Sequence, residues 1–195
     1  IANFCGNFSS SDNNRFLYLA NLLSKYCKVE LITSSFQHEM KEQRKKQTFN
    51  YPFTVTIIDE PGYPKNICLK RFFSHHIWGK NVQKYLENRT KPGVVYCAVP
   101  SLSGPNTIAE YCERNHIPFV IDIQDLWPEA FQMIVNIPIV SQIGFIPFTI
   151  LANGIYRKAD SICAVSDTYC QRALRINKKC KVGTTVYLGT NLETF

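Results

Sequence analysis

The chain has 195 residues, of which 45% are hydrophobic and 19% are charged. This length and composition exclude a disordered chain and suffice for a hydrophobic core, so we expect a single domain over residues 1–195. The net charge of +7 predicts attraction to an anionic partner, without distinguishing nucleic acid, a lipid surface or a phosphorylated substrate.

The first half of the chain alternates segments with the apolar patterns of strands and helices. Apolar, β-branched runs mark the strands, and apolar residues three or four positions apart mark the helices. A basic, polar connection containing Lys41 and Arg44 lies between the second and third strands. The predicted elements are a strand at Ile1–Cys5, a helix at Phe16–Leu23, strands at Val29–Thr33 and Phe53–Ile58, and a helix at Arg71–Leu86.

The second half of the chain continues this alternation. Ser103 is predicted to cap a helix with Pro105 in its first turn, and Ser166 to cap a shorter helix. The predicted elements are a strand at Val94–Ala98, a helix at Ser103–Asn115, strands at Phe119–Ile123 and Ser161–Val165, the helix after Ser166, and a strand at Thr185–Leu188. Uninterrupted apolar strands separated by helices predict a doubly wound parallel sheet, a Rossmann-like α/β fold.

The eight cysteines and four histidines do not predict a metal or redox site. No two cysteines have C-x-x-C spacing, and the adjacent His75 and His76 cannot both face one metal ion. Six cysteines are expected to be small buried hydrophobic residues in a reducing cytoplasm, namely Cys5, Cys27, Cys97, Cys112, Cys163 and Cys170. We therefore expect a cytoplasmic protein without a metal or another cofactor.

The loops that follow the strands are the candidate ligand site, because ligands of parallel α/β sheets bind beyond the carboxyl ends of the strands. The loop Gly6–Asn14 is small and polar and leads into a helix N-terminus, which attracts anions. It lacks the G-x-G-x-x-G and P-loop patterns, so support for binding of a dinucleotide or ATP is weak. Ser101–Pro105 has the same character, and in both loops helix capping alone is an alternative explanation.

The segment Asp122–Glu129 combines acidic groups with an aromatic side chain at the end of a strand. Carboxylates such as Asp125 and Glu129 accept hydrogen bonds from sugar hydroxyls, and aromatic rings such as Trp127 stack on the C–H faces of pyranoses. This combination favours a sugar-binding site. Asp122 lies within the strand and is expected to be a buried structural carboxylate.

Three segments, in this order, resemble the retaining family-four glycosyltransferases of the GT-B fold, in the subgroup that builds bacterial surface polysaccharides. They are DIQDLWPEA at Asp122–Ala130, ADSICAVS at Ala159–Ser166 and VYLGTNLETF at Val186–Phe195. The resemblance implies that the chain is the N-terminal, acceptor-side domain of such an enzyme. It also implies that the donor binds mainly to a C-terminal domain outside this sequence, and that this fragment alone is inactive.

The resemblance further implies that Asp125 is the catalytic residue, acting by positioning the acceptor or the reacting sugar. Gln124 stands where many members have a histidine, and it cannot act as a base. Asp12–Arg15 stands where many members have a glycine pair, which makes Arg15 the candidate for a phosphate contact. The candidate substrate-binding residues are Gly6, Asn7, Asn14, Arg15, Ser103, Gly104, Gln124, Trp127, Glu129 and Ser166.

The expected reaction is transfer of a sugar from a nucleotide-sugar donor to a lipid-linked or glycan acceptor, and these two molecules are the expected partners. Nucleic acid is not an expected partner of such an enzyme. Two alternatives stay open. One is a non-enzymatic Rossmann-like module that binds an anionic ligand or nucleic acid; the other is an epimerase- or dehydrogenase-like nucleotide binder, which the missing glycine pattern disfavours.

An anionic membrane surface is a further expected partner, which would place the protein at the inner face of the membrane. The basic and aromatic residues that suggest it are Lys70, Arg71, Phe72, Phe73, Trp78 and Lys80, with an apolar helix at Ile143–Lys158. The alternative is that these aromatic side chains are buried against the sheet. A spanning helix is not expected, because polar residues and prolines interrupt the apolar stretch Ile134–Ile155.

Overall fold

The computed structural model describes residues 1–8, 14–45, 47–132 and 138–189, with the backbone alone at 131–132 and 138–143. The structure is mixed α/β with parallel sheets, in agreement with the predicted class. The chain divides into two units: unit 1 contains Ile1–Val82 and the described residues after Tyr187, and unit 2 contains Gln83–Tyr187. Each unit has a parallel sheet of its own.

Unit 1 is built on a pair of parallel strands. Its elements, in chain order, are α1 (Arg15–Leu23), β1 (Glu30–Ser34), β2 (Phe36–Gln37), β3 (Glu42–Gln43), β4 (Thr54–Ile58) and α2 (Leu69–Glu87), which ends in unit 2. β1 and β4 pair in parallel, and Ala2 forms an isolated parallel bridge to Thr33 of β1. β2 and β3 form an antiparallel hairpin whose turn is His38–Lys41.

Unit 2 contains a four-stranded parallel sheet with helices in its connections. Its elements are β5 (Val95–Val99), α3 (Ser103–Asn115), β6 (Phe119–Ile123), α4 (Glu129–Gln132), α5 (Pro138–Lys158), β7 (Ser161–Ala164), α6 (Asp167–Leu174) and β8 (Thr184–Thr185). The strand order is β5-β6-β7-β8. Parallel neighbours need a crossover between them, and the helices of unit 2 provide it. In this strand order, β6 and β7 are the interior strands of the sheet.

The strands carry the core because their side chains are apolar. In unit 1, Leu31 and Ile32 of β1 are buried, and in unit 2 Ile121, Ile123 and Ile162 are fully buried. Burial of each such side chain contributes roughly 1.5–3 kcal/mol. None of the described helices combines the length and apolarity needed to cross a bilayer.

Most of the predicted elements are confirmed, and the exceptions have local causes. The predicted first strand contributes only the bridge at Ala2, and the predicted basic connection contains the β2–β3 hairpin. Ser166 caps α6 as predicted, with its Oγ accepting a hydrogen bond from the backbone N–H of Tyr169 at 3.3 Å. The predicted cap at Ser103 is wrong: α3 begins at Ser103, and Leu102 occupies the capping position without a side-chain hydrogen bond.

The cysteines are all free thiols. Cys5, Cys97, Cys112 and Cys170 are buried as predicted, and Cys163 is partly buried. Cys27 is exposed, which corrects the prediction for that residue. Cys27 lies beyond the end of α1 at Leu23, outside the helix that would have placed it against the core.

Candidate functional site

A buried carboxylate joins the strand ends of unit 1. Glu60, which follows β4, is only 3% exposed. Its carboxylate accepts hydrogen bonds from Asn3 Nδ2 at 2.9 Å, from Ser34 Oγ at 2.5 Å and from Ser74 Oγ at 2.7 Å. Asn3 follows Ala2, Ser34 ends β1 and Ser74 lies on α2. A buried carboxylate is stable only with such donors, so Glu60 connects three strand ends to one helix.

Two histidines and a tyrosine form a second cluster in unit 1, in which Tyr63 and His75 are buried and His38 is partly exposed. The Tyr63 hydroxyl lies 2.5 Å from His38 Nδ1 and 3.3 Å from His75 Nε2. Phe4 stacks on the His38 ring with 4.3 Å between ring centroids. A tyrosine hydroxyl has one proton to donate, so one of the two imidazole nitrogens accepts it and the other donates to the hydroxyl oxygen.

Gly62 permits the turn that places Tyr63 in this cluster. Its φ of +83° lies in the region that glycine adopts without steric cost. A Cβ atom at this position would come within 2.5 Å of the Phe36 ring. The chain therefore requires a glycine between Glu60 and Tyr63.

Both histidines of the cluster are held in the neutral form. Burial, followed by the charges of Lys41 and Arg71, lowers the pKa of His38 to about 4. Burial, followed by Arg71, lowers the pKa of His75 to about 3. Burial also raises the pKa of Tyr63. At neutral pH, the cationic groups at this site are consequently lysine and arginine, and not histidine.

Three cations surround the aromatic side chains of unit 1. Lys41 Nζ lies 3.4 Å from His38 Nδ1, and the Arg71 guanidinium lies 5.7 Å from the ring centres of Phe4 and Tyr63. The third cation, on the Arg44 side chain, is fixed by three backbone carbonyls. Arg44 donates to the carbonyl oxygens of Ser34 at 2.9 Å, Gly6 at 2.9 Å and Cys5.

A cavity of about 250 Å³ lies beside these groups in unit 1. The cavity is lined by Phe4–Asn7, by Gln37–Met40 and by Arg44. Phe4–Asn7 follows the bridge at Ala2, and Gln37–Met40 follows β1 and begins the hairpin turn. The cavity thus lies at the carboxyl ends of parallel strands, where α/β proteins bind ligands.

The predicted sugar-binding segment of unit 2 leaves the carboxyl end of β6. Asp122 is fully buried, as predicted, and accepts a hydrogen bond from Gln124 Nε2 at 3.3 Å. Asp125 is exposed. Trp127 is 5% exposed, so its ring is buried and does not present an open face to a sugar. The Trp127–Pro128 peptide bond is cis.

Glu129 forms a hydrogen-bonded ion pair within unit 2. Its Oε1 accepts from Arg172 Nε at 2.7 Å, and Arg172 Nη2 donates to Asn153 Oδ1 at 3.0 Å. The guanidinium also lies 5.5 Å from the ring centre of Tyr156. These contacts link α4, α5 and α6 through one arginine. At least one carboxylate oxygen of Glu129 is therefore occupied by a contact that holds these helices together.

The remaining predicted residues of unit 2 lie at two helix N-termini. Ser103 and Gly104 form the first turn of α3, and Ser166 is occupied in capping α6. Ser101, just after β5, is fully buried, and its Oγ has no hydrogen-bond partner among the described residues.

The predicted residues of unit 1 divide between the cavity and a helix cap. Gly6 and Asn7 line the cavity. Asn14 is engaged in capping α1, since its Oδ1 accepts from the backbone N–H groups of Phe16 at 3.1 Å and Leu17 at 3.2 Å. Arg15 is the first residue of α1. Residues 9–13 of the predicted loop, and residues 190–195 of the predicted hinge, lie outside the described part of the chain.

Sequence reasoning missed the Glu60 and Tyr63 clusters. His38 lies in the connection that is predicted to be basic and polar, and the position of His75 beside His76 excludes only a shared metal ion. The available signal was the segment Glu60–Tyr63, which places an acid, a proline, a glycine and a tyrosine directly after a strand. Within the described residues, no group of three or more His, Cys, Asp or Glu side chains could hold a metal ion.

Comparison with protein-family models gives no match to this chain, and comparison with curated protein sequences gives none either.

Proposed function

We propose that this chain is the acceptor-binding side of a retaining glycosyltransferase with a doubly wound GT-B fold. The enzyme would transfer a sugar from a nucleotide-sugar to a lipid-linked or glycan acceptor in polysaccharide synthesis. The observation that carries the proposal is the position of Asp122–Glu129, the segment with the most specific resemblance. It follows an interior strand of a parallel sheet, at the edge where α/β enzymes hold their ligands.

The residues of this segment have different roles in the proposed reaction. Asp125 is the catalytic residue, because its exposed carboxylate can accept a hydrogen bond from an acceptor or donor hydroxyl. Gln124 is held by the buried Asp122 and supplies a hydrogen-bonding amide without base chemistry. The buried Trp127 and Glu129, which is paired with Arg172, position the loop. Such an enzyme accelerates transfer mainly by orienting the two substrates and by stabilising developing charge.

The test of this proposal is the Asp125→Asn variant in the complete two-domain enzyme that the proposal requires. We expect unchanged thermal stability and a loss of about 10²-fold in kcat/KM for sugar transfer, the cost of misplacing reacting groups. Asp59→Asn, which changes another exposed aspartate, is the matched control and should retain activity. Wild-type activity in Asp125→Asn would contradict the assigned role.

The chain alone should bind an acceptor without catalysing turnover, because the proposed donor site lies on the other domain. Radiolabelled nucleotide sugars incubated with the purified chain should therefore give no product. Product formation would contradict this division of labour. Absence of transfer in the complete protein, with retained binding of anions by this chain, would instead favour the non-enzymatic module.

A lipid-linked acceptor would bring this protein to an anionic membrane surface. The N-terminal part of α2 and the residues before it expose three large apolar side chains, Ile67, Leu69 and Phe73, with Leu69 86% exposed. Lys65 and Lys70 are exposed on the same segment. Trp78 and Arg71 are buried and cannot take part. Apolar side chains flanked by lysines are typical of surfaces that insert at the interface of anionic bilayers.

The membrane hypothesis predicts flotation of the chain with vesicles containing anionic lipid, and not with neutral vesicles. The double variant Leu69→Ser/Phe73→Ser should lose this binding, since each lysine near the surface contributes only about 1 kcal/mol. Tyr18→Ser/Tyr26→Ser removes two exposed aromatics from another surface of unit 1 and is the matched control. Equal flotation of both double variants would contradict the assignment to α2.

A further inference from the structure

We propose that the cavity of unit 1 binds a small phosphorylated ring compound, a sugar phosphate of monosaccharide size, through Arg44 and the hairpin turn His38–Lys41. Identification of this compound with the acceptor rests on the proposed function. Binding of the anionic ring compound rests on the cavity itself. The proposal adds a binding site that the sequence motifs do not indicate, because the hairpin turn lies in the connection predicted to be merely basic and polar.

The size of the cavity limits the ligand. Pockets for drug-sized molecules measure roughly 300–1,000 Å³, whereas this cavity measures about 250 Å³. A complete nucleotide sugar is therefore too large, and one ring with one phosphate group is of the right scale. The position of the cavity at the carboxyl ends of parallel strands is also the position at which such sheets bind phosphorylated ligands.

The charges around the cavity favour an anion. A guanidinium has five N–H donors, and Arg44 uses three of them on backbone carbonyls. Its other two N–H groups donate to none of the described residues, and a fixed guanidinium with free donors suits a phosphate. Lys41 adds a second cation beside the lining residue His38. Of the nearby acids, Glu60 is occupied by three donors, and Glu39 is exposed at the cavity wall.

The aromatic wall of the cavity favours a ring. Phe4 and His38 both line the cavity and stack nearly parallel, with an interplanar angle of 20°. The Tyr63 hydroxyl holds the His38 ring through Nδ1. This fixed aromatic pair offers a face for the C–H groups of a sugar ring, and Gly6 and Asn7 line the same cavity.

The test is a titration of the 195-residue chain with a hexose 1-phosphate. Calorimetry measures the affinity, and NMR of the backbone amides and histidine rings locates the binding site. We expect saturable binding, with the largest shifts at Gly6, Asn7 and His38. An uncharged methyl hexoside should bind at least tenfold more weakly. A short-chain isoprenyl diphosphate sugar is the second arm: tighter binding of that compound would identify a lipid-linked source of the same chemistry, and weaker binding a free sugar phosphate.

Charge variants at the cavity should change affinity in opposite directions. Lys41→Asn should weaken binding about threefold, the effect of one partly exposed charge, and asparagine tolerates the φ of +57° at this position. Glu39→Gln should tighten binding by a similar factor. Lys45→Asn removes an equal charge from an exposed neighbouring position and should leave affinity unchanged. Arg44→Lys should lose at least tenfold, with its amide spectrum used to verify folding.

Equal affinity for the charged and uncharged sugars would overturn the proposal. Equal effects of Lys41→Asn and Lys45→Asn, or NMR shifts confined to residues away from the cavity, would also overturn it.

The result for this binding site can be distinguished from the result for the proposed glycosyltransferase activity. Binding of the sugar phosphate by a protein whose complete form transfers no sugar would leave this site standing and remove the glycosyltransferase. Sugar transfer by the complete protein, without binding of the sugar phosphate to this chain, would support the glycosyltransferase and remove this site.

Discussion

The carboxyl ends of the strands carry acidic groups in both units, but the two units use them differently. In unit 1 the buried Glu60 accepts three side-chain hydrogen bonds from different strands and α2, and an open cavity lies nearby. In unit 2 the acids follow one another along a single segment, with Asp122 buried, Asp125 exposed and Glu129 paired to Arg172. One site is assembled by tertiary structure and the other is assembled by local sequence.

This difference shows that a recognisable motif and a rich chemical environment need not coincide. The motif segment of unit 2 contributes one exposed carboxylate, since Trp127 and Glu129 serve mainly to hold their loop. The clusters of unit 1 contain more polar groups, although no sequence motif predicts them. Variants in each unit can separate groups that stabilise the fold from groups that are available to a ligand.

The largest effect is expected from Glu60→Ala in unit 1. The substitution leaves three buried donors without an acceptor and creates a void, which together should lower the free energy of unfolding by about 3–5 kcal/mol. Urea denaturation followed by circular dichroism measures this change. Glu42→Ala, at an exposed position on β3, is the control. Its free energy of unfolding should lie within about 0.5 kcal/mol of the wild-type value, as is typical of surface substitutions. A loss below about 1 kcal/mol for Glu60→Ala would show that the network is not needed for stability.

A smaller effect is expected from Arg172→Met in unit 2. The pair with Glu129 is partly exposed, and a hydrogen bond to a charged group contributes about 1.5–3 kcal/mol, so we expect a loss near the lower end of that range. Arg175→Met removes the same charge from an exposed position one turn away and should be nearly neutral. A double-mutant cycle with Glu129→Gln should give a coupling energy of about 1 kcal/mol. Additive effects of the two substitutions would indicate that the pair does not couple.

The third prediction concerns the dependence of stability on pH, an effect that is small at neutral pH and that two histidines of unit 1 produce. The folded-state pKa of His38 is about 4 and that of His75 about 3, both below the ordinary value of about 6.5. At a pH between the folded-state pKa values and the ordinary value, the unfolded chain binds more protons than the folded chain. The free energy of unfolding therefore falls as the pH is lowered from about 6.5 towards 4. Denaturation midpoints across this range should show the decline. The variants His38→Gln and His75→Gln should reduce this decline.

The parts of the fold that depend on local patterns were predictable from the sequence. The strand Phe119–Ile123 is confirmed with the predicted bounds, and the helix α3 ends at Asn115 as predicted, because their apolar periodicity is strong. The Glu60 cluster was not predictable in this way. Asn3 and Glu60 are 57 positions apart, and only strand pairing brings them together. The hairpin was missed because two-residue strands carry too little pattern to recognise.

The hairpin in the connection from β1 to β4 also bears on how this protein can change during evolution. β1 and β4 are joined by their own parallel ladder and hold their register without residues of the hairpin turn. The exposed turn residues Glu39 and Met40 can therefore accept substitutions with little cost to the sheet. A lineage, or a directed-evolution library randomised at these two positions, could exchange one small ligand for another while the scaffold stays constant.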